Sequence, residues 1–245
     1  MDNNILIIPD VHGRTFWKEA VKGRENDLII FLGDYLDPYS QEGITRDDAF
    51  NNFLEILEFK KEHKDNVVLL LGNHDCTYAI GTHICNCRSD YARMKQISKL
   101  FDDNRELFQF VYDTIISDKR IIFSHAGLHK KFVERTFGED IDMSKDTIEK
   151  FNDAWRQDTY GILNQLSTAS RYRRGWNNDN EASLVWADIR EFISSSSEDD
   201  FAFQIVGHTQ LERPAVFDNI VCIDCHRAFL LIDGELCELD GKPVK

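Results

Sequence analysis

The chain has 245 residues, of which 42% are hydrophobic and 29% are charged, and these values are typical of a folded α/β domain. Its formal net charge of −14 argues against DNA or RNA as a stable partner, because phosphate contacts require basic surfaces. No apolar run reaches the roughly 18 residues of a transmembrane helix, and the N-terminus MDNNILIIPD lacks the basic start of a signal peptide. We therefore expect a cytoplasmic protein without membrane association.

Short continuous apolar runs predict strands that are buried on both faces of a sheet. They lie at 4–8, 28–32, 67–71, 120–124, 203–206, 220–224 and 228–232. A capping box of Thr45 and Asp48 predicts the start of a helix, and helical patterns also cover 90–108 and 146–165. Strands that alternate with helices indicate an α/β fold. We expect a single domain over 1–245, with 76–108 as a helical insertion near the strand ends.

Five of the predicted strands are followed at once by a polar motif, namely PDVHG, GDYLD, GNHD, SHAG and GHTQ. The side chains that these motifs carry are Asp10, His12, Asp34, Asp37, Asn73, His74, Asp75, His125 and His208. Because the functional crevice of an open α/β sheet lies outside the carboxyl ends of its strands, we expect them to converge. Mixed imidazole and carboxylate ligands suit zinc, iron or manganese. So many ligands exceed the needs of one tetrahedral ion, which favours a two-metal site.

The six cysteines, in a chain without an export signal, indicate free thiols. A zinc site is one alternative, with ligands from the Cys85-Asn86-Cys87 stretch and from Cys222 and Cys225. A second alternative is haem attachment at CIDCH (222–226), although that chemistry would require export. The third interpretation places Cys222 and Cys225 on a core strand, and we favour it because a buried free cysteine behaves as a small hydrophobic residue.

The ordered motifs DVHG, GDYLD, GNHD, SHAG and GHTQ, with LVWAD at 184–188, resemble those of the calcineurin-like metallophosphoesterases. Within them the chain is most similar to the phosphoprotein phosphatase branch and its small bacterial and phage members. The resemblance implies a two-sheet αββα sandwich with a helical segment over the strand ends, and two divalent ions (Mn, Fe or Zn). It implies His74 as the proton donor to the leaving oxygen, oriented by Asp37, and Asp34 as the bridging ligand. The implied metal ligands are Asp10, His12, Asp34, Asn73, His125 and His208.

Two positions depart from that branch. The usual GDxxDRG pattern places a phosphate-binding arginine where this chain has Pro38, and the usual GNHE reads GNHD, with Asp75. Another arginine must then bind the phosphate, and the candidates are Arg14, Arg173, Arg174 and Arg190. We expect Arg174, because a basic cluster next to a glycine suits close approach of a two-point donor. A solvated basic loop is the alternative for each of them.

The resemblance implies a dinuclear metal-dependent phosphoesterase that hydrolyses phosphate monoesters by metal-bound hydroxide. Its expected substrate is a phosphorylated protein, at phosphoserine or phosphothreonine. One alternative is a hydrolase of dinucleoside polyphosphates or another small phosphoester. A second alternative is a catalytically degenerate metal-containing protein that only binds, which Pro38 supports and the presence of His74 and Asp37 opposes. The sequence does not indicate the oligomeric state.

Overall fold

The computed structural model describes residues 4–81, 87–138, 144–172, 180–194 and 202–244. The chain divides into two compact units. The first unit is Met1–Phe108 with Cys225–Lys245, and the second unit is Gln109–Asp224. A single domain over 1–245 would require these two units to form one folded body. That stays a prediction. No helix within the described ranges is long and apolar enough to cross a membrane.

Both units contain strands and helices. The strands are β1 (Ile5–Ile8), β2 (Leu28–Phe31), β3 (Val67–Leu70), β4 (Phe108–Gln109), β5 (Val111–Ile116), β6 (Lys119–Ser124), β7 (Phe203–Val206), β8 (Ala215–Phe217), β9 (Ile220–Cys222), β10 (Phe229–Ile232) and β11 (Glu235–Cys237). The helices are α1 (Phe16–Ala20), α2 (Arg46–Glu62), α3 (Asn73–Ala79), α4 (Met94–Asp103), α5 (Lys130–Phe137), α6 (Lys145–Arg156), α7 (Tyr160–Gln165) and α8 (Ile189–Ser194).

The first unit is built on a mixed sheet whose described strands run in the order β11-β10-β1-β2-β3-β4. β1, β2 and β3 are parallel, with Ile5 opposite Leu28 and Ile29 opposite Val67, whereas β10 is antiparallel to β1. Parallel strands need helical crossovers, and α1 and α2 supply them. The three parallel strands therefore end at the same edge of the sheet, and the polar motifs begin there.

The helix α2 begins as its sequence predicts. Thr45 Oγ1 accepts a hydrogen bond from the Asp48 amide at 3.1 Å, and Asp48 Oδ2 accepts one from the Thr45 amide at 3.1 Å. This capping box satisfies two amides that the first turn leaves without helical partners. The buried face of α2 places Phe53 between the rings of Tyr35, at 5.4 Å, and Phe101 of α4, at 5.1 Å. These aromatic contacts anchor the loop after β2 in the core of the unit.

Two glycines allow the loops after β2 and β3 to lie in contact. Gly33 has a φ of +106°, and a Cβ on it would overlap the backbone of Gly72. A Cβ on Gly72 would in turn overlap the carboxylate of Asp34. Only glycine permits this close approach of the two backbones. The GD and GN pairs of the sequence therefore bring Asp34 next to the start of α3.

The second unit contains the other mixed sheet, with described strands in the order β5-β6-β7-β9-β8. β6, β7 and β9 are parallel, whereas β5 and β8 form antiparallel edges. Ser117 and Asp118, with φ of 49° and 63°, connect β5 to β6, which is typical of a two-residue type I′ turn. Asn152 of α6 holds the start of β5, because its Oδ1 accepts from the Phe110 amide at 2.9 Å.

The two mixed sheets with helices confirm the α/β class, and each of the predicted strands is present within about two residues of its predicted bounds. The sequence analysis missed β4, β5, β8 and β11, and the pattern over 146–165 is divided between α6 and α7. The predicted insertion 76–108 is helical in part, since it contains the end of α3, all of α4 and a 3₁₀ turn at Arg105–Leu107. Its residues 82–86 lie outside the described ranges.

Cys222 supports the core-strand interpretation, whereas Cys225 is buried but lies beyond the end of the strand. Cys222 ends β9 and is fully buried, and Cys225 follows it and is also buried. The thiol of Cys222 lies 3.2 Å from the carbonyl oxygen of Gly207 and 3.2 Å from that of Thr209. No potential metal-binding group among the described residues contains a cysteine, and Cys85 of the zinc alternative lies outside those residues.

Candidate metal centre and active site

The loops at the edge of the first sheet have unusual backbone conformations. His12, Asp34 and Asp37 have positive φ angles of 44°, 53° and 60°. Few non-glycine residues adopt this region, and such strain is often found at functional sites. Hydrogen bonds between the loops hold the conformation, because the amide of His12 donates to the carbonyl of Asp34 at 2.6 Å and that of Gly13 donates to the carbonyl of Tyr35 at 3.0 Å.

These loops bring a group of potential metal ligands together in the first unit. His12, Asp34 and His74 are buried, and one ligand atom of each lies within 4.8 Å of the others. His12 Nε2 is 3.4 Å from Asp34 Oδ2 and 4.0 Å from Asp10 Oδ2. Burying two carboxylates beside one imidazole is costly without a cation. Carboxylate oxygens and imidazole nitrogens are ligands for divalent transition metals, so the donor set fits such an ion.

The surroundings of His12 fix both the tautomer and the charge of its ring. Its Nδ1 lies 2.9 Å from the carbonyl oxygen of Leu36, which assigns the proton to Nδ1 and leaves the lone pair on Nε2 toward Asp34. Burial lowers the pKa of His12 well below its ordinary value, more than the charge of Asp34 raises it. The neutral imidazole that results is the form that binds metal.

His74 belongs to a chain of hydrogen bonds with Asp37 and Tyr78. His74 Nδ1 donates to Asp37 Oδ2 at 2.7 Å, and the Tyr78 hydroxyl donates to Asp37 Oδ1. The same hydroxyl oxygen accepts from the amide of Asp90 at 2.6 Å. Burial lowers the pKa of His74, but the charge of Asp34 and the hydrogen bond to Asp37 outweigh it and raise the pKa well above its ordinary value. This arrangement favours an imidazole that carries a proton.

The sequence analysis did not assign Tyr78 to the site. Burial, followed by the charge of Asp37, raises the pKa of Tyr78, so the phenol stays protonated and acts as a donor. The sequence does contain a signal that could have indicated Tyr78. Tyr78 follows His74 by four residues in α3 and therefore lies on the same helix face.

Asp75, which departs from the GNHE pattern, holds the loops together. Its carboxylate accepts hydrogen bonds from the amides of Asp34 at 2.7 Å, Tyr35 at 3.1 Å and Gly72 at 2.9 Å. Burial and then the charge of Asp34 raise the pKa of Asp75, against the effect of these amides. The shorter aspartate therefore reaches three backbone donors and positions the backbone of Asp34.

The second unit carries two further predicted ligands. His125 follows β6, and His208, with φ of 64°, follows β7. His125 Nε2 lies 3.2 Å from His208 Nδ1, and the Gly207 amide donates to the carbonyl of His125 at 2.8 Å. The Trp186 ring of the LVWAD motif packs edge-on against the His208 ring, with centroids 5.7 Å apart. Two neighbouring imidazoles at strand ends are suited to share an ion.

The predicted metal ligands are thus divided between the units. Asp10, His12, Asp34 and Asn73 lie at the sheet edge of the first unit, and all four are buried. His125 and His208 lie together in the second unit. Asn73 begins α3, and its Nδ2 lies 3.8 Å from Cys87 Sγ. The joint binding of two ions by these six residues stays a prediction.

Two of the arginines predicted to bind phosphate, Arg14 and Arg190, are paired with carboxylates. Arg14 Nε and Nη2 donate to the two carboxylate oxygens of Glu42 at 2.7 and 2.6 Å. Arg190 makes the same two-point contact with Asp188, at 2.7 and 2.8 Å. Arg173 and Arg174 lie outside the described residues. The phosphate-binding roles of these arginines stay predictions. The guanidinium groups of Arg14 and Arg190 are already paired with the carboxylates of Glu42 and Asp188.

Aspartates and histidines at the ends of parallel strands lie where an α/β fold binds its ligands, and they are side chains that can hold a divalent metal. Residues 4–210 match the model of the calcineurin-like phosphoesterase family, and the chain belongs to that family. The predicted family is confirmed. Family membership and the buried donor group together support hydrolysis of phosphoesters with bound divalent metal. No curated protein matches the chain significantly by sequence.

Solved structures of phosphatases share the fold. The cold-active protein-tyrosine phosphatase of the psychrophile Shewanella sp. has a TM-score of 0.66 and 15% identity, over 100% of this chain and 81% of that one. A protein serine/threonine phosphatase from Saccharomyces cerevisiae, with similarity to human phosphatase PP5, has a TM-score of 0.52 and 14% identity, over 94% of this chain and 73% of that one. At such identities the likeness shows the fold, and it confirms the predicted fold class.

Proposed function

We propose that the chain is a metal-dependent phosphatase that hydrolyses phosphate monoesters on proteins, with phosphoserine or phosphothreonine as the substrate group. The observation that supports it most is the hydrogen-bonded chain of His74, Asp37 and Tyr78, next to the donor group of His12 and Asp34. A donor group alone suits many metalloproteins. An adjacent imidazole that a carboxylate orients adds the means to transfer a proton, which hydrolysis of an alkyl phosphate requires.

The proposed metal sites combine both units. Asp10, His12, Asp34 and Asn73 would act with His125 and His208 to hold two divalent ions, such as Mn, Fe or Zn. This assignment rests on the resemblance of the motifs, on family membership and on the fit of the donor set within each unit. Divalent ions held there would supply activation of water at neutral pH and would withdraw charge from the phosphate oxygens.

The residues of the first unit then have distinct roles. His74 delivers a proton to the leaving oxygen, and Asp37 holds the ring through Nδ1 so that its other nitrogen faces the reaction. Tyr78 satisfies the second oxygen of Asp37 and thereby fixes that carboxylate. Asp75 keeps the backbone of Asp34 in its left-handed conformation through the Asp34 and Tyr35 amides. A degenerate binding protein would have no need for this arrangement.

The substrate class is the finer part of the proposal. The two similar phosphatases are named for different phosphorylated residues, tyrosine in one and serine or threonine in the other. The motif resemblance favours serine and threonine, because it is strongest with the phosphoprotein phosphatase branch. If the chain instead hydrolyses small phosphoesters, such as dinucleoside polyphosphates, in preference to phosphopeptides, this part of the proposal is wrong.

The experiment compares metal-stripped and metal-loaded protein on a panel of substrates. The panel contains phosphoserine, phosphothreonine and phosphotyrosine peptides, dinucleoside polyphosphates, and aryl phosphate monoesters and diesters. We expect chelation to abolish turnover, Mn²⁺ to restore it, and serine or threonine phosphopeptides to have the highest kcat/KM. Full turnover by verified metal-free protein would contradict the metal dependence. The absence of turnover of every ester, with metal bound, would favour the binding protein.

A further inference from the structure

Arg88 differs from the other arginines of the first unit in having no carboxylate within 4.0 Å among the described residues. Each of the others has an aspartate or glutamate partner at that distance: Arg14, Arg24, Arg46, Arg93, Arg105 and Arg227. The side chain of Arg88 is half-buried and donates hydrogen bonds to the Asp37 carbonyl. Its Nη2 also lies 3.4 Å from His12 Nδ1, which directs its own proton to Leu36 and therefore accepts no hydrogen bond from Arg88. Its positive charge is therefore available to an anion.

The guanidinium of Arg88 is held in a fixed plane. Nε and Nη2 both donate to the carbonyl oxygen of Asp37, at 3.2 and 2.9 Å. The guanidinium carbon lies 3.6 Å from the centroid of the Tyr39 ring, which is a close stacking contact. One edge of the group is thus used for positioning, while the Nη1 amino group and the second hydrogen of Nη2 remain for a planar two-point contact with another oxyanion.

The main chain that carries Arg88 is attached to the site on both sides. Cys87 precedes Arg88, and its Sγ lies 3.8 Å from Nδ2 of Asn73. Asp90 follows, and its amide donates to the Tyr78 hydroxyl at 2.6 Å. Since that hydroxyl also donates to Asp37, the segment Cys87–Asp90 is fixed relative to both the donor group and the proton-transfer chain. An arginine that is positioned in advance loses less entropy when it binds a ligand.

The surroundings of Arg88 suit an anion that carries more than one negative charge. Arg88 Nη2 lies 3.4 Å from the ring of His12, whose Nε2 faces Asp34 and Asp10. An anion that reaches the donor group must approach these buried carboxylates, so it needs cationic partners in addition to metal. Pro38, at the position where an arginine is expected from the motif, has no donor to offer.

On the basis of the proposed phosphatase function, we infer that Arg88 binds the phosphate group of the substrate and takes the role of the arginine that Pro38 replaces. The guanidinium would contact two oxygens of the phosphoryl group that the metal ions leave exposed. Its full charge complements the second negative charge of a monoester. Arg88 therefore also sets a preference for dianionic monoesters over monoanionic diesters.

The test compares Arg88→Ala, Arg88→Gln and Arg88→Lys with the control Arg227→Ala. Arg227 is a matched control because its guanidinium also lies over an aromatic ring, that of Phe229 at 5.1 Å, and is paired with Glu238. Binding of inorganic phosphate to the metal-loaded proteins is measured by calorimetry, and kcat/KM is measured for aryl monoesters and diesters. Arg88→Gln keeps a donor for the Asp37 carbonyl but removes the charge.

We expect Arg88→Ala and Arg88→Gln to lower kcat/KM for monoesters by about 100-fold or more and to weaken phosphate binding, with a smaller loss for diesters. Arg88→Lys should recover only part of the loss, because lysine lacks the planar contact. Metal content and thermal midpoint should match those of Arg227→Ala. If the Arg88 variants bind phosphate and hydrolyse monoesters as well as Arg227→Ala does, the inference is overturned. An equal loss of kcat/KM for monoesters and diesters would also overturn it.

The same experiment separates the inference from the proposed function. If the wild-type, metal-loaded chain hydrolyses no phosphoester, the proposed function fails. Phosphate binding that depends on Arg88 in that case still supports Arg88 as the phosphate ligand. If the wild type is active while Arg88→Gln binds phosphate as tightly as the wild type, the proposed function stands and the role of Arg88 is wrong.

Discussion

The two units contribute to the proposed site in different ways. In the first unit the predicted residues are linked by hydrogen bonds between side chains and to the backbone, as in the chain from Tyr78 through Asp37 to His74. In the second unit the His125 ring lies beside the His208 ring, and the Trp186 ring packs edge-on against His208. In the proposed assignment, the first unit supplies the groups for proton transfer and phosphate binding, and the second unit supplies metal ligands. Substitutions in the two units should have different kinetic signatures.

The largest expected effect is that of Asp34→Asn. Asp34 is the proposed bridging ligand, so the substitution weakens both metal sites at once. We expect kcat/KM to fall by about a thousandfold or more, since metal ions supply several kcal/mol of stabilisation to the transition state. Elemental analysis should show less bound metal than in His125→Asn, which removes one ligand in the second unit. Full metal occupancy in Asp34→Asn would show that Asp34 is not the bridge.

The thermal stability of metal-free Asp34→Asn gives a second, independent test of Asp34. The charge of Asp34 raises the pKa of Asp75, so the two carboxylates repel each other when no ion is bound. Asparagine removes that charge and can still accept the hydrogen bond that the His74 amide donates to Asp34 Oδ1 at 2.9 Å. The metal-free variant should thus unfold at a higher temperature than metal-free wild type and gain less stability from added metal. A lower midpoint in the metal-free state would contradict this account.

The second largest effect is expected for His74→Asn, which removes the proposed proton donor. Turnover of esters with poor leaving groups should fall by roughly 10²- to 10⁴-fold, the usual contribution of general acid catalysis. Aryl phosphates with acidic leaving groups need little protonation and should lose much less. Both metals should remain bound, which separates this variant from Asp34→Asn. An equal loss across all leaving groups would show that His74 acts as a ligand or a structural residue.

Tyr78→Phe should have a smaller effect that still depends on the leaving group. The change removes one hydrogen bond to Asp37 and leaves the Asp90 amide without its acceptor, which costs about 1–3 kcal/mol in the free energy of unfolding. Tyr35→Phe is a matched control, because its hydroxyl donates to the Leu70 carbonyl at 2.7 Å in the core. Both variants should lose stability, and only Tyr78→Phe should lose turnover of poor leaving groups. If the two variants are kinetically alike, Tyr78 has no role in positioning Asp37.

The sequence was most informative where the signal is local. β1, β2 and β3 are short apolar runs that end in glycine or proline followed by polar ligands, so both the strands and the ligands could be predicted. β5 was missed because its sequence VYDTII mixes Tyr112, Asp113 and Thr114 into a partly exposed edge strand, without a continuous apolar run. Tertiary contacts hide other features from sequence reasoning. Nothing near Arg88 in the sequence reveals that it stacks on Tyr39 or reaches the carbonyl of Asp37.

The smallest expected effect lies in the second unit, at Trp186. Its indole packs edge-on against His208, and its buried Nε1 has no hydrogen-bond partner among the described residues. Phenylalanine can keep the aromatic contact and loses no hydrogen bond, although the smaller ring leaves space that costs roughly 1–3 kcal/mol in the free energy of unfolding. We expect Trp186→Phe to lower kcat/KM by less than about tenfold and equally for all leaving groups, because it shifts a ligand and leaves the proton donor in place. The measurement is the set of kcat/KM values for a series of aryl and alkyl phosphates, with metal affinity determined in parallel. A loss that grows with the pKa of the leaving group would show that the second unit also takes part in proton transfer, and the contrast between the units would then not hold.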